Sequence, residues 1–271
     1  MEAMKAKWIG LALLSASLAV TSEADLIWDN DSSDGQWKTA VNWTGTAGDP
    51  DNMAPASGSS VRINNGDTVN WNGITGQVLP ANLDITLAGN STWTAEGVIR
   101  LNNASITVNS GSTLTSTSGG FWDLNNADIT FENGAIVTID DWENKGANTF
   151  TFNLGPTGFA TLMPNIFRTN LANSDITDAL YEVDLLNYAG APGTITLVDY
   201  AVDGYPGGMD DSLFQTAGGL NVLNAGVYAG SHIQWNDSME SIELVLIPEP
   251  STFSLLVLFG LFLLSACRRR I

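Results

Sequence analysis

The segment LNNASITVNSGSTLT, beginning at Leu101, returns as LNNADITFENGAIVT, beginning at Leu124. This one shift superimposes Leu101 on Leu124, Ile106 on Ile129, Val108 on Phe131 and Gly111 on Gly134, and upstream it pairs Ile99 with Trp122. A weaker copy, ANLDITLAGNSTW, sets Ile85 one slightly shorter period before Ile106, and LANSDIT sets Ile176 close to two further periods beyond Ile129. A unit this short cannot bury an apolar face alone, so its copies must stack and share one core. Within each copy the apolar residues alternate, which is the period of a strand rather than of a helix.

A turn of this length holds about three strands of roughly three to five residues joined by tight bends, which predicts an all-β, right-handed parallel β-helix solenoid. Stacking would set Asn102 over Asn125 and Asn103 over Asn126 as amide ladders, with asparagine taking the left-handed backbone that such bends need. Ile106 over Ile129 would line the lumen. The competing fold is an antiparallel β-sandwich whose internal similarity is coincidental. The expected organisation is a signal peptide over 1–24, a tryptophan-rich cap over 25–60, β-helix repeats over 61–179, a small antiparallel β region over 180–247, and a sorting segment over 248–271.

A solenoid needs closed ends, because its first and last coils otherwise present bare sheet edges. The stretch IWDNDSSDGQWKTAVNWTG followed by GSSVRINNGDTV resembles the entry segment of bacterial surface β-helix proteins, including autotransporter-associated repeat proteins. Its Trp28, Trp37 and Trp43 are expected to form an apolar lid. From about Leu180, TITLVDYAV, GVYAGSHIQW and SIELVLIPEP read as alternating strands between glycine-containing turns.

The chain's two ends read as targeting segments. Lys5 and Lys7 precede the apolar stretch Trp8 to Val20, and Ser22 and Ala24 put small residues where a signal peptidase cleaves, so cleavage after Ala24 is expected. A membrane anchor is the alternative there, but about 13 apolar residues rise only about 20 Å as a helix. At the other end Ser251 to Cys267 carries no charge, and its length sits at the lower limit of about 17 residues for a transmembrane helix. Arg268, Arg269 and Arg270 follow it, a basic end that stays on the cytoplasmic side. A buried core helix would show a polar face, and Leu255 to Leu264 shows none. Pro248, Glu249 and Pro250 break both flanking elements and leave extended backbone before the apolar run. PEPS, apolar run and CRRR together resemble the PEP-CTERM sorting signal of Gram-negative bacteria. That resemblance implies processing by an exosortase, transient anchoring in the inner membrane through the C-terminal helix, and delivery to the cell surface or an extracellular polysaccharide matrix. The lipobox-like LSAC ending at Cys267 lies at the wrong end of the chain, and Cys267 is fifth from the end, so neither lipoprotein processing nor prenylation applies.

Charge and composition then narrow the chemistry. Between Asp25 and Pro250 only Lys38, Arg62, Arg100, Lys145 and Arg168 oppose 27 acidic residues, 29 less Glu2 and Glu23. Such a surface repels nucleic acid and anionic headgroups. Polysaccharide lyases occur on parallel β-helices, but they need a cationic base and further cations against the substrate carboxylate. Here no two cations are close in sequence, and Arg100 aligns with Asp123. For a glycosidase the nominal acid pairs are Asp140 with Asp141 and Asp210 with Asp211, yet adjacent residues of a strand point to opposite faces. One histidine, His232, and no exported cysteine leave no multi-histidine or Cys/His centre.

Asp29 to Gly35 is a calcium-loop look-alike whose glycine comes one residue late and whose closing position is Ala40, so Asx turns explain it better. Asp203, Asp210 and Asp211 read as part of a solvated loop. No cofactor or metal is called for. Trp93, Trp122 and Trp142 recur through the repeats where a sugar could stack on an exposed ring, against the alternative that they fill the lumen. The function expected is structural or adhesive, in association with extracellular polysaccharide. The alternative is a lyase or glycosidase on the same scaffold.

Overall fold

The computed structural model describes residues 25–45, 54–71, 79–117, 119–145, 147–156, 158, 161–169, 180–199, 202–203 and 220–249. The signal segment, Ile176, Asp210, Asp211, Pro250 and everything from Ser251 onward lie outside the described residues.

The cap contributes β1 (Asp25–Trp28) and β2 (Trp43–Gly45). The first coil gives β3 (Ser60–Ile63) and β4 (Thr68–Trp71), and the next gives β5 (Asp84–Leu87), β6 (Thr92–Ala95) and β7 (Val98–Asn102). The two quoted repeats follow as β8 (Ser105–Val108), β9 (Thr113–Ser116) and β10 (Phe121–Asn125), then β11 (Asp128–Phe131) and β12 (Ile136–Lys145). Further along come β13 (Thr149–Asn153), β14 (Thr161–Thr169), β15 (Leu180–Asp184), β16 (Gly193–Asp199), β17 (Val202–Asp203) and β18 (Leu220–Leu223). Last are β19 (His232–Asn236) and β20 (Ser241–Leu246).

These strands build a β-solenoid with three faces. Strands β3, β5, β8, β11, β13, β15 and β18 form one continuous parallel face. A second face runs β4, β6, β9, the first part of β12, β14 and β16. The third joins β7, β10 and the second part of β12, with β14 and β17 beyond. Strand β12 serves two faces because it turns a corner: Ile136 to Thr138 pair with β9, whereas Asp141 to Lys145 pair with β10.

The register is the one the repeat dictates. Ile85 pairs with Ile106 and Ile106 with Ile129, Val108 with Phe131, Leu101 with Leu124, and Ile99 with Trp122. All are buried, so each inward column stacks apolar residue on apolar residue along the axis. Full burial of such an aliphatic side chain stabilises by about 1.5–3 kcal/mol before ordering costs. Of the two expected ladders the first is present, with Asn125 Nδ2 donating to Asn102 Oδ1 at 3.1 Å, whereas Asn126 Oδ1 accepts from the Ala147 amide at 3.0 Å. Asn82, Asn103 and Asn126 have φ of 58°, 51° and 53°, so one corner of the solenoid is turned by left-handed asparagines coil after coil. At another corner Gly111 has φ 76°, and a Cβ there would collide with Asn90 Oδ1.

Two expectations change. The coil at β13 carries Phe150 and Phe152 inward, but it lacks the LNN punctuation and follows β11 at a shorter interval than the quoted repeat, so it was not legible as a copy. The next position in that column is Tyr181 rather than Ile176. Parallel stacking therefore continues past residue 179 through β15 and β18. Among the described residues, antiparallel pairing after the cap is confined to β16, β20 and β19. Alternation alone, as in LYEVD, suffices to add a coil when inward residues meet an existing core.

Candidate functional site

The lumen decides the fate of the tryptophans. Trp93, Trp122 and Trp142 are all 0 % exposed. They belong to a continuous aromatic column that begins in the cap. Trp28 meets Trp43 edge-on at 5.0 Å, Trp43 meets Trp37 at 4.8 Å, and Trp37 stacks on Trp93 at 4.9 Å. The column continues through Trp122 and Trp142 to Phe150 and Tyr181. The expected glycan contact at Trp93, Trp122 and Trp142 is therefore corrected: no sugar reaches rings closed inside the coil, and these residues fill the core. Sequence already held the signal, because Trp93 lies between outward Thr92 and Thr94, and Trp122 stacks on inward Ile99. The column has polar costs. Trp43 Nε1 donates to the Trp37 carbonyl at 2.8 Å and Trp71 Nε1 to the Val98 carbonyl at 3.2 Å. The indole N–H groups of Trp28, Trp93 and Trp122 find no acceptor among the described residues, at about 1–3 kcal/mol each.

The Asp29–Gly35 loop is a hydrogen-bonded knot over the cap. Asp34 accepts from Thr39 Oγ1 at 2.6 Å, from the Gln36 amide at 2.9 Å and from Asn42 Nδ2 at 2.7 Å. These donors, Thr39 foremost, hold the Asp34 carboxyl well below the usual carboxylate range. Asn42, fully buried, also donates to the Gln36 carbonyl and accepts from Ser32. Asp29 accepts from the Asp31 amide and from Thr44 Oγ1, and Asn30 Oδ1 from the Gly35 amide. The Asp29 and Asp34 carboxylates are thus engaged as turn acceptors. Asp67, near the cap, is raised by burial and by the charge of Asp29. Among the described residues no group of three or more His, Cys, Asp or Glu could hold a metal ion.

Catalytic candidates are dispersed. Asp140 sits at the corner of β12, between Ile139 and Asp141 of the β14 register, where its Oδ2 accepts from the Gly119 amide and its own amide donates to Ser116 Oγ. Asp141 lies beyond the corner, opposite Phe121 and Ile166. Arg100 Nε donates to Asp123 Oδ2 at 2.9 Å across one coil, so the cation at the head of the clear repeats is paired with the carboxylate above it. His232 is exposed at the start of β19, opposite Val245. The structure brings none of these into one cluster.

Two surfaces remain. One is the exit of the chain after β20: Ile247, Pro248 and Glu249 are exposed and lie outside any strand or helix, with the Glu249 amide donating to the Val227 carbonyl at 2.7 Å. Arg268, Arg269 and Arg270 lie outside the described residues, as does Ala24. Among the described residues no helix is long and apolar enough to cross a membrane. The other surface is the outer side of β4, β6, β9 and β12, where Thr68, Thr92, Thr113 and Ile136 form one column and Asn70, Thr94, Thr115 and Thr138 a second. Sequence reasoning overlooked this face, although TWT and TLT within the repeats display it. Comparison with family models, curated proteins and solved structures gave no match.

Proposed function

We propose that this chain is an exported structural or adhesive protein of the Gram-negative cell surface or its polysaccharide matrix, sorted by a PEP-CTERM-type signal and without catalytic activity of its own. The supporting observation is the chain's exit: Leu246 is the last buried residue among the described residues, and Pro248 and Glu249 follow directly as exposed backbone outside any strand or helix, within reach of a processing enzyme. The apolar run and three arginines come next in sequence. In this reading the solenoid winds right-handed, Ser251 to Cys267 cross the inner membrane as one helix, and an exosortase removes that helix.

The test is mass spectrometry of cell-associated protein from a host that carries an exosortase. Wild type is expected to lack the segment beyond the PEP motif, and a variant with Glu249→Ala and Pro250→Ala to remain in the membrane with its arginines. Wild type that keeps Arg270, or equal processing of the variant, would make the tail a plain anchor.

A further inference from the structure

The outer faces of the solenoid differ in chemistry although the same repeat builds them. On the face led by β5, β8, β11 and β13, a threonine column, Thr86, Thr107, Thr130 and Thr151, runs beside Asp84, Ser105, Asp128 and Thr149. On the face led by β4, β6, β9 and β12, eight outward positions over four coils are six threonines, one asparagine and one isoleucine. None is charged, in a chain of net charge −19. Carboxylates flank these strands at their ends, Asp67 before Thr68 at one rim, and exposed Glu96 together with Asp140 at the other.

Ladder hydrogen bonds fix the backbone of this face, and β-branching restricts the threonine χ1. The result is a rigid grid with one hydroxyl and one methyl at most points, about 4.8 Å apart between coils and about 6.6 Å apart along a strand. Ile136, 48 % exposed, replaces a hydroxyl by further methyl surface. An uncharged grid does not attract ions or a charged polymer. It also lacks what a sugar ring needs, since its aromatic residues, Trp71 and Trp93, are buried on the inward side. What such a grid can do is hold first-layer water in a repeating two-dimensional pattern, each hydroxyl both donating and accepting while the methyls separate the water sites.

From this geometry we infer that the threonine face of β4, β6, β9 and β12 binds crystalline water, that is, the surface of ice. The absence of charge on this one face of an acidic solenoid selects an uncharged partner, and the two-dimensional repeat selects a lattice over a single molecule. The inference does not depend on how the chain is sorted or processed.

The test grows ice slowly from a dilute solution of the purified full chain and measures protein in the ice relative to the liquid, with an unrelated acidic protein as the excluded control. Wild type is expected to be enriched relative to that control. Thr115→Lys, in the centre of the grid, should fall to the control ratio. Thr107→Lys, at an outward threonine of the neighbouring face in the same coil, should stay at the wild-type ratio. Circular dichroism reports whether each variant keeps its β structure. Should Thr115→Lys not fold, Thr115→Ser keeps the hydroxyl, removes the methyl and is expected to lower the ratio in a folded protein. Exclusion of wild type from ice, or equal behaviour of the Thr107 and Thr115 variants, would overturn the inference. So would retention on particulate cellulose that is lost in Thr115→Lys while wild type is excluded from ice, which would assign the face to a neutral polysaccharide.

Discussion

The two ends of the solenoid are closed by different means. At the amino-terminal end, Trp28, Trp37 and Trp43 are buried and continue the aromatic column of the lumen, so the lid and the core are one stack. Above it lies the polar knot around Asn42 and Asp34. At the carboxy-terminal end, β20 and β19 extend the second face antiparallel beyond β16, and the buried residues of these three strands are mostly aliphatic: Ile195, Leu197, Ile233, Ile242, Leu244 and Leu246. That end leaves the large apolar side chains of Leu186, Val227 and Met239 exposed. A stack couples the lid to the coils beneath it, whereas strands added at the edge of one face make a local closure. In a quasi-one-dimensional fold, where each unit touches only its neighbours, the first kind of end should transmit damage further.

The largest expected effect follows from that coupling. Trp37→Ala removes a ring held edge-on to Trp43 and Trp71 and stacked on Trp93. It should cost about 3–5 kcal/mol, a large part of a stability of about 5–15 kcal/mol. Hydrogen exchange should show the loss spreading through β3 to β6. If protection falls only in β1 and β2, the lid is separable from the column.

Leu244→Ala at the other end should cost about 2–5 kcal/mol, with faster exchange limited to β16, β19 and β20. Leu244 is fully buried between partners Ile195 and Ile233. Loss of protection as far as β11 would erase the distinction between the two closures. A smaller effect sharpens the same end: Tyr228 donates its hydroxyl to the Gly190 carbonyl at 2.6 Å while its ring packs edge-on against Tyr188. Burial, with Tyr228 beside it, pushes the Tyr188 hydroxyl above its ordinary value. Tyr228→Phe should cost about 1 kcal/mol in chemical denaturation, with the denaturant slope unchanged.

The middle of the molecule was far more legible in the sequence than either end. The registers of Ile106 on Ile129 and Val108 on Phe131, the Asn102–Asn125 ladder and the left-handed Asn103 and Asn126 all follow from the single shift that carries Leu101 onto Leu124, because stacking turns sequence identity into spatial contact. The coil at Thr149–Asn153 was not legible, because its corners use other residues than LNN and only its alternation marks it as a strand. Arg100 and Asp123 were legible as aligned positions and proved to be an ion pair. The tryptophans illustrate the limit: period two says which residues share a face, but their size suggested a ring platform while the parity of their neighbours pointed inward. The threonine face was written in the same parity and is the complement of those inward rings.

The smallest effect that still has a definite sign concerns the polar knot at the amino-terminal end. Asp34 is exposed to solvent, yet Thr39, Gln36 and Asn42 donate to it, Thr39 foremost, and depress its titration well below the usual range. A group whose folded-state pKa is depressed contributes stability that is present above its unfolded value, about 3.9. That contribution is lost as pH falls towards the folded value. Asp34→Asn keeps the side-chain shape and removes the charge, so wild type should melt slightly higher than the variant at pH 7 and at pH 5. The gap should shrink as pH is lowered below about 4, and because the group is exposed it should remain small throughout. Only β1, β2 and β4 should show the difference in hydrogen exchange, since the knot bonds to β1, β2, their connecting loop and, through Gly35 and Trp37, to Asn70 of β4 rather than to the far coils. A gap that stays constant down to strong acid would mean that the donors recognise the carboxyl group and not its charge. The amino-terminal closure would then rest on the aromatic stack alone.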